Sequence, residues 1–144
     1  MKATGDQDYS MGHIKKRILC VENDHVSCEM LANFLHILGY EVVSANKGAD
    51  ALRIARQESF DAYVLDNLLP DMSGIELCKQ IRAIDEDTPI IFYSDAVGQA
   101  DRQEAKSAGA QSYINKPGNK DELEEAIPKL FKRVKDADIG DGVH

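Results

Sequence analysis

What most constrains this chain is a repeated alternation. A short apolar run is followed by a polar break, and then by a segment with apolar residues at helical spacing. RILCV (17–21) is apolar without alternation, the pattern of a strand buried on both faces. ENDH follows, and then Val26, Met30, Leu31, Phe34, Leu35 and Leu38 recur at helical period up to Gly39, a residue suited to a helix end. YEVVSA (40–45) predicts a second strand, and 49–56 a short helix with Ala51, Leu52 and Ala55 on one side. AYVLD (62–66) and IELCKQIRAI (75–84), with Ile75, Leu77, Ile81 and Ile84 apolar, repeat the pattern. PIIFYS (89–94) is a strand beginning at Pro89, where a missing N–H is tolerable. A polar, Ala-rich helix over 100–108 ends at Gly109, SYIN (112–115) is a last strand, and 121–134 a last helix with Leu123, Ile127, Leu130 and Phe131 apolar. Pro128 predicts a kink there or a shifted boundary.

Five strands alternating with five helices call for a parallel sheet covered on both faces. The 144 residues suit one domain, expected over 15–134, with a leader (1–14) and a tail (135–144) flanking it. No room for an output domain is expected after the last helix. The net charge of −8 argues against direct nucleic-acid binding, which needs Lys and Arg to neutralise phosphates. The clusters Lys15–Arg17 and Lys129, Lys132, Arg133, Lys135 read as solvated flanks. Cys20, Cys28 and Cys78 form no CxxC pair and read as reduced core residues of a cytoplasmic protein. No apolar stretch approaches a membrane span, and the N-terminus lacks a signal-peptide core.

In a sheet of this kind function sits beyond the carboxyl ends of the strands. Glu22, Asn23 and Asp24 follow the first strand, Asp66 the third, Ser94 and Asp95 the fourth, and Lys116 and Pro117 the fifth. Loops are polar in any case. Asp66, however, directly follows the apolar YVL, which puts its carboxylate at the core boundary. Such a carboxylate can attack phosphorus and form an acyl phosphate. The product adds about −1.5 to −2 charges to an acidic place, so the chemistry calls for a divalent cation and a positioned lysine. Glu22, Asp66, Lys116 and the Ser94 hydroxyl are the residue types required.

Over residues 16 to about 134 the chain resembles the response-regulator receiver domain of two-component signalling, in its stand-alone form. The likeness rests on RILCVEND, VLDNLLPDMSGIELCKQIR, PIIFYSDA and AGAQSYINKP, in that order. The central block is the most specific, with Pro70 at +4 and Gly74 at +8 from Asp66. The resemblance implies a flavodoxin-like, doubly wound, five-stranded parallel sheet of order 2-1-3-4-5 with five helices. It implies that Asp66 accepts a phosphoryl group from a sensor histidine kinase or phosphotransfer protein. Mg²⁺ would be held by Glu22, Asn23, Asp66 and the backbone carbonyl of Leu68. Ser94 would be the switch hydroxyl, Tyr113 the aromatic that swings inward, and Lys116 the phosphoryl partner, with a cis bond to Pro117. It also implies a protein target met through the fourth helix, fifth strand and fifth helix, and no enzyme activity beyond the domain's own phosphorylation and dephosphorylation.

Three positions depart from the family pattern. Asn23 replaces a carboxylate ligand with an amide, which predicts weaker Mg²⁺ binding and slower phosphorylation. Asp95 stands where a small residue is usual; it could repel a donor, replace the missing charge, or face solvent. Gly118 replaces an aromatic. An aspartyl-nucleophile phosphatase would need Asp at the position of Leu68, and a nucleotide carrier a Gly-rich loop in place of ENDH. The alternative that stays open is a pseudo-receiver, the same fold used as an interaction module without phosphorylation.

Overall fold

A computed structural model describes residues 15–95, 98–116 and 121–131. The elements run β1 (Arg17–Val21), α1 (His25–Ile37), β2 (Glu41–Ala45), α2 (Gly48–Gln57), β3 (Ala62–Leu65), α3 (Gly74–Ile84), β4 (Ile90–Ser94), α4 (Gln99–Ala108) and β5 (Ser112–Asn115). Residues 121–131 form α5. The strands make one parallel sheet of order β2-β1-β3-β4-β5. This is the receiver topology expected from the sequence. The bond to Pro117 and the residue Gly118 lie outside the described residues.

The alternation of strand side chains divides the core in two. Leu19, Val21, Tyr63, Leu65 and Phe92 pack with Leu52 of α2, Leu77 and Ile81 of α3 and Ala105 of α4. Ile18, Cys20, Val64, Ile91, Tyr93 and Ile114 pack on the other face with Leu31 and Leu35 of α1 and Leu123 and Ile127 of α5. The three inner strands β1, β3 and β4 are buried on both faces, which is why they read as unbroken apolar runs. All three cysteines are buried free thiols.

Caps set the helix starts. The Asp24 carboxylate accepts from the Ser27 N–H at 2.8 Å, and Ser73 Oγ from the Glu76 N–H at 3.0 Å. The N-cap of α2, Lys47, makes no side-chain cap bond; Asp71 of the β3–α3 loop accepts from Gly48 N–H (2.8 Å) and Ala49 N–H (2.9 Å) instead. Gly39 and Gly109 end α1 and α4 at φ 102° and 114°, a conformation that strains other residues.

Two helix expectations change. Val26 and Met30 are 63% and 54% exposed, because α1 seats Cys28, Leu31 and Leu35 on the sheet, a 3–4 spacing on a different face. Ile84 is likewise exposed, as the last residue of α3. In α5 the helix continues past Pro128 to residue 131, the last one described, and Pro128 lies on its exposed side.

Candidate functional site

The carboxyl edge of the sheet brings four polar side chains out of water. Glu22, Asp66, Asn67 and Ser94 are all buried, at 3%, 5%, 8% and 0% exposure. They are buried because each follows or ends an inner strand whose own residues are core. Asp66 leaves β3 with its N–H donating to the Val21 carbonyl at 2.9 Å, so the ladder extends one step into the site.

Around Asp66 the geometry is specific. Ser94 Oγ donates to Asp66 Oδ1 at 2.9 Å, and the Leu68 N–H donates to the same oxygen at 3.2 Å. Lys116 Nζ stands 3.7 Å from Asp66 Oδ2 and is directly hydrogen-bonded to Glu22 Oε1. Two buried carboxylates thus share one ammonium. Burial, and then a hydrogen bond to Asp66, push the Glu22 carboxyl up to about 7, against the pull of Lys116. Burial works against the Lys116 ammonium. Its bond to Glu22 and the charges of Asp66, Glu22 and Asp95 outweigh that and hold its pKa above the ordinary range.

The loop after β3 is held close by Gly74. A Cβ there would run into the Asp66 carbonyl oxygen and the Asn67 Cα, so α3 can start this near the carboxylate only with glycine. The Gly74 N–H donates to Asn67 O at 2.8 Å, and Asn67 Oδ1 accepts from Ile75 N–H at 3.2 Å. This is the physical content of Gly at +8 in the sequence motif.

Of the other expected residues, Asn23 and Asp95 are exposed at the rim, and Leu68 is 59% exposed. Asp24, one of the acids grouped with the site, is turned away to cap α1. Tyr113 is 8% exposed: its ring stacks on Phe92 (centroids 5.4 Å apart, planes 2° apart) and its hydroxyl is hydrogen-bonded with Ser94. Burial raises its pKa. Two residues escaped the sequence reading. Asn67 donates its N–H to Ser94 Oγ at 3.3 Å. Arg102 of α4 donates to the Tyr113 carbonyl at 3.0 Å. Neither has a sequence signal, since one looks like a loop residue and the other like a surface charge.

Glu22, Asn23, Asp66 and the Leu68 carbonyl are all hard oxygen donors, the set that suits Mg²⁺. The buried excess of negative charge, visible in the raised Glu22 pKa, is what a divalent cation would relieve. The residues therefore fit the ion. Among the described residues no three or more His, Cys, Asp or Glu side chains are grouped to hold a metal by themselves, so the set would also draw on the Asn23 amide and the Leu68 carbonyl.

A doubly wound sheet of order 2-1-3-4-5 with its acids, hydroxyl and lysine on the carboxyl edge has the CheY-like receiver fold. The sequence matches the family described as "Response regulator receiver domain" over residues 18–128, and the chain belongs to that family. It is 35% identical over 127 residues to the response regulator MprA of Mycobacterium leprae, covering 88% of this chain and 56% of that protein. The chain thus spans about half the length of the curated relatives it matches. A solved CheY-like receiver domain protein from Methanospirillum hungatei superposes with a TM-score of 0.82 at 28% identity, covering 86% of this chain and 99% of that one. The receiver domain of the sensor histidine kinase PA1611 from Pseudomonas aeruginosa, solved with a magnesium ion coordinated in its active-site cleft, gives 0.76 at 30% identity, with 83% and 99% coverage. Among the described residues no helix is long and apolar enough to cross a membrane.

Proposed function

We propose that Asp66 accepts a phosphoryl group from a sensor histidine kinase or phosphotransfer protein, and that the phosphorylated domain signals through a protein contact. The observation that carries this is the convergence on one buried carboxylate of a hydroxyl at 2.9 Å and an ammonium at 3.7 Å.

Asp66 Oδ1 accepts from the Ser94 hydroxyl and the Leu68 N–H, whereas Oδ2 faces the Lys116 ammonium at 3.7 Å, so Oδ2 is the oxygen assigned as nucleophile. It attacks the donor's phosphorus, the P–N bond to the donor histidine breaks, and an acyl phosphate forms on Asp66. Lys116 is placed to pair with the new phosphoryl oxygens, and Ser94 to donate to them once it leaves Oδ1. Glu22, Asn23, Asp66 and the Leu68 carbonyl would hold Mg²⁺. When bound, the ion supplies positive charge that offsets the transferred group. Because Ser94 also bonds the Tyr113 hydroxyl, moving Ser94 couples the site to β5 and α4. The described edge is acidic and catalytic only toward itself. Its output is protein binding in the cytoplasm rather than direct contact with DNA or membrane.

The test is incubation with phosphoramidate and Mg²⁺ followed by intact-mass measurement. Wild type is expected to gain one phosphoryl adduct and Asp66→Asn none. A wild type that stays unlabelled under conditions that label a standard receiver would favour the pseudo-receiver reading.

A further inference from the structure

The Tyr113 ring has two ring contacts: it stacks on Phe92, and the Arg102 guanidinium stands over it at 5.4 Å from its centroid. The same guanidinium donates from Nη1 to the Tyr113 carbonyl at 3.0 Å. One side chain of α4 therefore grips both ends of this residue, its backbone and its ring. Arg102 itself is exposed and lines a groove of about 550 Å³ with Gly98, Gln99, Gln103, Lys106 and Asn115. From the surface, a continuous series of contacts runs inward: Arg102 to Tyr113, Tyr113 to Ser94, Ser94 to Asp66.

We propose that Arg102 is a positioning residue that latches Tyr113 inward in the resting protein, and so weights the inward arrangement before any phosphoryl group reaches Asp66. The inference deepens the phosphorylation reading and rests on it only for its consequence in signalling; the latch belongs to the unmodified protein. An outward ring would forfeit the stacking on Phe92 and the cation over its face together. The Arg102 contribution at a solvent-exposed site corresponds to about a two- to fivefold change in the inward-to-outward ratio. A lysine at this position could keep a charge over the ring, but it lacks the planar fork that meets ring and carbonyl together.

The experiment labels the full chain with 3-fluorotyrosine and follows ¹⁹F signals, using Tyr113→Phe to assign the one from position 113. In resting wild type this signal is expected at a buried position. Arg102→Ala is expected to move it toward the exposed position by the ratio above, and Arg102→Lys to fall between the two. Phosphoramidate with Mg²⁺ is expected to drive both variants back toward the wild-type position. A signal unmoved in resting Arg102→Ala overturns the latch, even if the thermal midpoint falls, because a merely structural arginine would lower stability without moving the ring. If wild type takes up no phosphoryl group while resting Arg102→Ala shows the shift, the phosphorylation reading fails and the latch stands.

Discussion

The two edges of the sheet are both bound by charged networks, yet they are built on opposite terms. At the amino edge, Arg17 bonds Glu41 at 2.8 Å and Glu58 at 2.7 Å, and its guanidinium lies 4.8 Å from the Phe60 ring. Nearby, Arg82 donates to the Gly109 and Asp85 carbonyls, and the Tyr63 hydroxyl donates to Asp85 at 3.0 Å. The carboxylates of this edge have matching donors, and most of its charges reach water. At the carboxyl edge, Glu22 and Asp66 are almost fully buried and divide one lysine between them. A structural network satisfies its charges. The carboxyl edge leaves a surplus, which costs stability and is available for chemistry.

The strongest way to test the contrast is to remove the cation from each edge. Lys116→Ala strands two buried carboxylates and is expected to cost about 3–5 kcal/mol in urea unfolding. Arg17→Ala is expected to cost clearly less, because Glu41 and Glu58 can turn to solvent. Equal losses would erase the distinction between the edges.

The pH dependence of stability separates them by sign. Glu22 is raised to about 7 in the folded, metal-free protein, so between about 4.5 and 7 the folded state holds a proton that the unfolded chain has released. Stability should therefore fall as pH rises through that window, by about 3 kcal/mol, and the fall should vanish in Glu22→Gln. Asp85 runs the other way. Burial raises it, but bonds from Thr88, Tyr63 and the Asp87 N–H outweigh burial and lower it. Its contribution is present above the ordinary carboxylate range and is lost as pH falls through its lowered folded value. Urea titrations of wild type, Glu22→Gln and Asp85→Asn across pH check both slopes.

The finest test concerns the rim. Asn23→Asp restores a carboxylate beside Glu22 and is expected to tighten Mg²⁺ binding by about one to two decades, read by calorimetric titration without any phosphodonor. Affinity unchanged by the substitution would mean that Asn23 does not set the metal affinity of this site.

Much of the fold was legible in the sequence, because inner parallel strands are buried on both faces and must be apolar throughout. RILCV, AYVL and IIFYS therefore stood out, and with them the polar residues at their ends. The +8 glycine was legible as a motif, and the structure supplies its reason in the closeness of α3 to the Asp66 backbone. The face of α1 was not legible. Val26 and Met30 fit a helical period as well as Cys28, Leu31 and Leu35 do, and only the position of the sheet decides between them.

The sequence by itself determined the sheet, the family and the residue types at its carboxyl edge. Local apolar pattern and a few steric requirements suffice for these, and both are written along the chain. Only the tertiary structure decided that Asp24 caps a helix while Glu22 turns inward, that one lysine serves two carboxylates, and that Arg102 covers Tyr113. Those are contacts between residues far apart in sequence or between side chains with several available directions, and three-dimensional packing sets them.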